Sequence, residues 1–306
     1  MMERQSMQVD IACVGLGPAT NGFLHTLMPK VTEIPSRVVP GMPLQVLAYE
    51  RADDFSFGVS GVVTKARSIQ ESFPQLNINE IPMSTKVSGE KVVYLQDHIG
   101  ASTRPSSLRL FDKALKGISF TKYCGHHAFE LPYIPPFLEK DDGIIFSIGQ
   151  FNNWVSSQVM GSGLMQLWPG SPVNSAIIDD DKVLGVRLLD QGVDLSGNPT
   201  DAFLPGMDIR SDLTVVGDGP VGAIGAQLDR HFGLPQGNGR HEWAVGMKMV
   251  VDLPENCELE EGMVLHTLGF PEPEIFGFLY VHPQKVASLG IFVPSFLNGP
   301  VRFNLS

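Results

Sequence analysis

Val9-Asp10-Ile11-Ala12-Cys13-Val14-Gly15-Leu16-Gly17-Pro18-Ala19-Thr20 is the stretch on which the fold turns. Its apolar run reads as a buried strand of a parallel sheet. The run ends in Gly15-x-Gly17, after which Ala19, Phe23, Leu24, Leu27 and Met28 recur at helical spacing. Strand, glycine turn and helix in that order are the setting in which a dinucleotide fingerprint has a physical meaning. Gly15 permits the tight turn. Gly17 removes the side chain where a pyrophosphate approaches the backbone, and the N–H groups of the helix start then face the anion. Thr20 stands where the third glycine of the pattern falls, with Gly22 two residues on. An ordinary strand–turn–helix carrying two glycines is the competing reading.

The next apolar strand, Leu44 to Tyr49, ends in Glu50-Arg51. An acid at the tip of the second strand is placed to accept hydrogen bonds from a ribose. It comes late because a Pro-rich insertion, Pro29 to Pro43, intervenes. The alternative is a solvated charge at a strand end. A third piece lies downstream: the strand Asp212 to Val216, then Gly217-Asp218-Gly219-Pro220-Val221-Gly222, then a helix to about Phe232. This could be a second fingerprint in a separate nicotinamide domain. However, no apolar strand ending in an acid follows at the expected span. The chain is therefore expected to return to the first sheet, with Gly217, Asp218 and Gly219 sealing one cofactor site.

Working outward, 306 residues are enough for about two domains. Apolar residues make up 43% and charged residues 18%, which excludes a disordered chain and a coiled coil. A formal net charge of −11 argues against a nucleic-acid partner and against a general basic membrane patch. No apolar stretch is long enough to span a membrane. Cys13, Cys124 and Cys257 are dispersed, so a reducing compartment is expected, and no four-thiolate cluster is expected in this chain. Cys124-x-His126-His127 offers metal-ligand types without an evident fourth ligand, and no metal site is expected. No Gly-x-Ser-x-Gly elbow, paired-carboxylate motif or Gly-x-x-x-x-Gly-Lys loop occurs, against hydrolase and triphosphatase chemistry.

Toward the end of the chain four apolar segments follow one another: residues 243–251, 263–269, 275–282 and 286–293. Their spacing reads as an antiparallel sheet. Phe276, Phe278, Leu279 and Phe292 are either the wall of an apolar ligand channel or one face of a core. Gly277-Phe278 is read as a turn whose glycine N–H stays open to a ligand carbonyl.

The order Gly-x-Gly-Pro-Ala at Gly15, Glu50-Arg51 at a strand tip, Ser60-Gly61, and Asp218-Gly219 before a helix resembles the FAD-dependent glutathione-reductase and hydroxybenzoate-hydroxylase superfamily. Within it, the chain resembles the electron-transfer-flavoprotein:ubiquinone oxidoreductase family. The carrying stretches are Ser60-Gly61 running on to Phe73-Pro74, Gly149-Gln150-x-x-x-Trp154, Trp168-Pro169-Gly170, Glu261-Gly262 through His266-Thr267 to Pro271, and Gly277-Phe278-Leu279-Tyr280. Two features depart from the family: Ser147-Ile148 replaces an arginine ahead of the Gly149 helix, and a double glycine is reduced to Gly277. Residues 98–142 have no clear counterpart.

The resemblance implies an α/β fold: a Rossmann-type three-layer FAD-binding domain (residues 1–75 and 143–235) with an antiparallel-sheet substrate or quinone lobe (76–142 and 236–306). It implies FAD contacts at Gly15, Gly17, Pro18, Ala19, Thr20, Glu50, Arg51, Ser60, Gly61, Gln150, Gly217, Asp218 and Gly219, substrate contacts at Phe276, Gly277 and Phe278, and no side-chain nucleophile. The implied activity passes electrons from electron-transfer flavoprotein, or a similar redox protein, through FAD to a quinone or other apolar acceptor. Alternatives are an NAD(P)H-dependent flavin reductase, monooxygenase or prenyl reductase, and a non-catalytic FAD-domain fragment that needs a partner chain. The family's further half, with a final Gly-Asp flavin motif and the cysteines of a [4Fe–4S] cluster, has no counterpart here. A cytoplasmic location is expected, with room for a peripheral position on the inner face of the membrane.

Overall fold

The structure, a computed structural model, describes residues 4–294 apart from 57, 59, 75–76, 97–103, 118–120, 123–126, 195, 235–243, 270–271 and 273–274. In chain order the elements begin β1 (Ser6–Val14), α1 (Pro18–Leu27), β2 (Val46–Tyr49), β3 (Val62–Lys65), α2 (Ala66–Ser72), β4 (Thr85–Lys86), β5 (Gly89–Leu95), α3 (Ser106–Gly117), β6 (Thr121–Lys122), β7 (Ala128–Leu131) and β8 (Gly143–Phe146). They continue α4 (Ile148–Gly161), β9 (Gln166–Trp168), β10 (Val173–Asp179), β11 (Lys182–Leu188), β12 (Gln191–Val193), β13 (Pro199–Leu204), β14 (Asp208–Val216), α5 (Ala223–Phe232), β15 (Ala244–Asp252), β16 (Met263–Leu268), β17 (Phe276–Val281) and β18 (Val286–Pro294).

The chain divides into two compact units. One comprises Met1–Gly58, Gln70–Leu76 and Ile148–Gln236; the other comprises Val59–Ile69, Asn77–Ser147 and Gly237–Ser306. Relative to the expected bounds, residues 59–69 and 143–147 fall in the second unit, where β3 pairs with β8.

The first unit is built on a six-stranded sheet of order β10-β11-β14-β1-β2-β9. β1 runs parallel to both β2 and β14, and β2 runs parallel to β9. The return predicted for Asp212–Val216 is present: Cys13 pairs with Val215 and Val14 with Val216. Strand alternation sends Ile11 and Cys13 to one face, where they pack with Leu24 of α1 and Val159 of α4. Ala12 and Val14 go to the other face, in a cluster that also holds Val9 and Ile224 of α5. Helices thus cover both faces of a parallel core, giving three layers. Each fully buried Leu, Ile or Val contributes about 1.5–3 kcal/mol.

One charge is buried in this strand. Asp10 accepts from the backbone N–H groups of Gln45 (2.7 Å), Arg37 (2.8 Å) and Val38 (3.3 Å). Burial raises its pKa, but these hydrogen bonds and one from Ser36 outweigh burial, and the net shift is downward. The carboxylate therefore ties the Pro-rich insertion to β1, which is why a sequence break between α1 and β2 does not break the sheet.

In the second unit a seven-stranded sheet has the order β15-β18-β17-β16-β5-β7-β6. The four apolar segments form its long strands, as their spacing predicts, and pair antiparallel. β16 and β5 pair parallel, so the sheet is mixed. A small sheet, β3-β8-β4, accompanies it.

Candidate functional site

In the first unit the two glycine turns meet. Gly15 has φ +80°, and a Cβ there would lie 2.6 Å from the Gly217 carbonyl oxygen. Both the left-handed backbone and the close approach therefore require glycine. Gly15 N–H donates to Tyr49 O and Gly217 N–H to Val14 O, each at 2.8 Å, which locks the turns to the strand tips. A cleft of about 270 Å³ opens there, lined by Gly15, Leu16, Gly17, Glu50, Arg51, Gly217, Asp218 and Gly219, with Tyr49, Phe55, Pro172 and Val173 among its apolar walls.

The two helices that start at these turns differ in one respect. α1 begins after Gly17 with no side-chain cap and no acid in its first turn. A Cβ on Gly17 would meet nothing within 4 Å. The uncapped helix start therefore presents free N–H groups and a positive dipole end, which suit an anion. At α5 the place is taken: Asp218 accepts from Ile224 N–H (2.8 Å) and Gly225 N–H (3.2 Å). A Cβ at Gly222 would fall 2.1 Å from Asp218 Oδ1, so the glycine leaves room for this cap. The second glycine turn thus caps its own helix, whereas the start of α1 carries no such cap.

Glu50 is not a solvated strand-end charge. Its Oε2 accepts from Leu16 N–H at 2.8 Å and its Oε1 from Ala52 N–H at 3.0 Å, so it bridges the first glycine turn and the tip of β2. A carboxylate has about four lone-pair positions, so acceptor capacity remains for a ribose hydroxyl. Beneath the turn Asn21, fully buried, donates to Leu16 O (3.0 Å) and accepts from Ser156 of α4 (3.0 Å). Sequence pattern gave no signal for Asn21 or Ser156, since neither belongs to the glycine motif.

The residues at the third-glycine position and beyond are spread out. The Thr20 hydroxyl is buried without a hydrogen-bond partner and turned toward Gly217 rather than the cleft. Pro18 and Ala19 line a second groove of about 730 Å³ along α1, with Phe23, His25 and Phe73. Gln150 is exposed on the first turn of α4, and its neighbour Gly149 is held to glycine because a Cβ would stand 2.0 Å from Ser56 O.

Ser60 and Gly61 lie in the second unit. Ser60 O accepts from Ser288 Oγ at 3.0 Å, and Gly61 O accepts from Lys248 Nζ at 3.2 Å. Gly277-Phe278 is not a turn: both residues lie inside β17, and Gly277 is flanked by Thr267 on β16 and Ile291 on β18. A Cβ at Gly277 would meet Gly290 O and Thr267 Oγ1 at 2.6 Å, so the glycine serves packing. Phe278 is 4% exposed and stacks on Tyr280 (4.4 Å between centroids), so it is a core residue; Phe276, at 50%, is open. Cys13 is buried in the core, and burial pushes its thiol up to about 12. Among the described residues no three His, Cys, Asp or Glu side chains cluster as for a metal. Cys124 and His126 lie outside them.

No family model matches the chain. By sequence it is 26% identical over 305 residues to the electron transfer flavoprotein-ubiquinone oxidoreductase of Pseudomonas aeruginosa, covering 98% of this chain and 49% of that protein. It is 26% identical to the mitochondrial electron transfer flavoprotein-ubiquinone oxidoreductase of Arabidopsis thaliana, covering 95% and 41%. The chain thus spans about half the length of the curated relatives it matches. In fold it is similar to a geranylgeranyl bacteriochlorophyll reductase-like protein of Thermoplasma acidophilum (TM-score 0.56, 15% identity, 94% of this chain and 57% of that one). It is also similar to CtdE in complex with FAD (TM-score 0.53, 9% identity, 97% and 61%). By sequence along nearly its whole length the chain is similar to the electron transfer flavoprotein-ubiquinone oxidoreductases, and its fold is the Rossmann-type fold of FAD-binding flavoproteins.

Proposed function

We propose that the chain is the FAD-binding part of an oxidoreductase that takes electrons from a donor flavoprotein, such as electron-transfer flavoprotein, and passes them to a quinone-type acceptor. The observation that carries the cofactor reading is the contrast between the two helix starts: α5 is filled by Asp218, whereas α1 opens onto a cleft at Gly17. The residues fit a dinucleotide. The start of α1 at Gly17 would hold the pyrophosphate, and Glu50 and Arg51 would take the ribose side. FAD, when bound, supplies the electron-transfer chemistry. The chain's own residues bind and orient it and exclude water. Donor and acceptor follow from resemblance to the relatives.

The acceptor's apolar contact is assigned to Phe276 and Phe292, paired across β17 and β18 and 50% and 39% exposed. Peripheral membrane contact is part of the same reading. On α3, Leu110 and Phe111 are 70% and 52% exposed beside Lys113 and Lys116, a pattern suited to an anionic interface. No described helix is long and apolar enough to cross a membrane.

Fluorescence titration of the apoprotein with FAD tests the cofactor; absence of saturable binding would overturn it. Stopped-flow reduction of the loaded chain by reduced electron-transfer flavoprotein, set beside NADPH, tests the donor. Faster reduction by NADPH would favour the reductase or monooxygenase alternative. Iron and sulfide analysis after anaerobic purification should find no [4Fe–4S] cluster on this chain.

A further inference from the structure

We propose that His282 and Ser288 are positioning residues that fasten the Ser60–Gly61 segment when His282 takes up a proton. Its bearing on FAD rests on the reading of Ser60 and Gly61 as cofactor contacts; the clamp itself does not.

The segment is held unusually. Its two consecutive carbonyls are gripped by side chains: Ser60 O by Ser288 of β18 and Gly61 O by Lys248 of β15. The approach is so close that a Cβ on Gly61 would lie 2.4 Å from Ser288 Cβ. Ser288 is fully buried and His282 is 2% exposed. His282 Nε2 lies 2.7 Å from Ser288 Oγ, and His282 Nδ1 lies 3.1 Å from Met83 O.

Counting hydrogens gives the device. A carbonyl only accepts, so Nδ1 carries the proton that it shares with Met83 O. In neutral His282 the Nε2 is then a bare acceptor. Ser288 has one hydroxyl hydrogen and two acceptors, Nε2 and Ser60 O, so serving one leaves the other unmet. When His282 is cationic, Nε2–H donates to Ser288 Oγ, and the hydroxyl hydrogen turns to Ser60 O. The Nε2–H and the hydroxyl hydrogen then each have an acceptor, and the Ser60 carbonyl is fastened.

The charged or titratable groups on the surrounding elements include Tyr280 on β17, Lys248 and Asp252 on β15, His266 on β16, Glu90 and Lys91 on β5, Lys86 of β4, Glu261 bonded to Thr85, and Lys285 ahead of β18. The His282 pKa is lowered by burial, opposed by the Met83 hydrogen bond. Its ordinary value is 6.5, so at neutral pH the one hydroxyl hydrogen is divided between two acceptors, and on acidification below that value it is committed to Ser60 O.

The experiment uses the whole chain without FAD. At neutral pH, long-range proton–nitrogen NMR of ¹⁵N-histidine protein, with His282 assigned through a His282→Gln variant, should find the hydrogen on Nδ1 and a bare Nε2. The opposite tautomer would overturn the proposal. Carbonyl-¹³C serine with ¹⁵N-glycine labelling then isolates the amides of Ser–Gly pairs. The Gly61 amide should shift with the midpoint of the His282 ring in the wild type, and the shift should vanish in Ser288→Ala while the ring still titrates. A Gly61 amide that ignores His282, or follows it equally in Ser288→Ala, overturns the clamp. FAD titrations on both sides of that midpoint should differ severalfold in the wild type and not in Ser288→Ala. NMR coupling without any change in FAD affinity would keep the clamp and remove Ser60 and Gly61 from the cofactor contacts.

Discussion

The Thr20 hydroxyl stands where a side chain on Gly217 would begin: an ideal Cβ at Gly217 falls 2.2 Å from Thr20 Oγ1. The residue at the third-glycine position of the first turn thus fills the space that the first glycine of the second turn leaves empty. The departure from the glycine fingerprint is compensated across the β1–β14 pair. Close packing of helix and strand, the role expected of that third glycine, is met here by a small residue opposite a glycine.

A double-mutant cycle measures this relationship. Gly217→Ala should cost about 1–3 kcal/mol through overpacking. Thr20→Ala alone should be near neutral or stabilising, because the hydroxyl it removes is buried and makes no hydrogen bond. In the Thr20→Ala background the next Thr20 atom, its Cβ, is 3.6 Å from the new methyl, an ordinary contact. Most of the Gly217→Ala cost should then disappear. Urea unfolding of the four proteins gives the coupling; additive costs would mean that the contact is relieved by rotation of Thr20.

Gly15 and Gly17 should behave differently, although both belong to the same turn. Gly15→Ala meets a left-handed φ and the Gly217 carbonyl, and should destabilise the fold by about 1–3 kcal/mol or more. Gly17→Val places its side chain in open space, so the fold should lose about 1 kcal/mol or less, the scale of an N-cap change. FAD binding should nevertheless be lost. Thermal unfolding and 450 nm absorbance after loading separate the two, and full flavin absorbance in Gly17→Val would remove the pyrophosphate from this turn.

These local features were legible in the sequence because their physics is local: a strand, a turn and a helix start fix Gly15, Gly17 and the tip of β2 within a short run. The return of Asp212–Val216 to the sheet was legible from a missing acid-tipped strand. Asp218 was harder, since whether it faces a ligand or caps α5 depends on hydrogen bonds that share no spacing rule. Gly277 was misread because its two neighbours, Thr267 and Ile291, come from separate strands. His282 and Ser288 carried no pattern at all: Ser288 meets Ser60 across 228 residues of chain.

The pH dependence of stability should show Asp10. Its pKa is lowered in the folded state from an ordinary value of 3.8. The sign follows by linkage: the unfolded chain binds the proton more readily, so the stabilisation is complete above that ordinary value and is lost as pH falls through the folded value. Asp10→Asn should cost about 1–3 kcal/mol at neutral pH, since an amide cannot accept all three backbone N–H groups. Its cost should shrink on acidification below pH 3.8. Urea midpoints of both proteins across that range check this; a cost that stays constant with pH would assign the effect to shape rather than charge.

Glu50 has two separable tasks, and two substitutions distinguish them. Glu50→Ala leaves the Leu16 and Ala52 N–H groups without their acceptor and should cost about 1–3 kcal/mol of stability. If the carboxylate also accepts from the ribose, FAD affinity falls as well, by tenfold for each 1.4 kcal/mol or so. Glu50→Gln keeps one acceptor oxygen, which the Leu16 N–H can retain, while the Ala52 N–H loses its acceptor, so stability should recover in part. Its amide nitrogen offers only donors, so a ribose hydroxyl that needs the second oxygen remains unmet, and FAD affinity should stay low. Unfolding measurements and fluorescence titrations on both variants read the two tasks separately. Wild-type FAD affinity in Glu50→Gln would make Glu50 a tie between Leu16 and the tip of β2, with no part in holding the ribose.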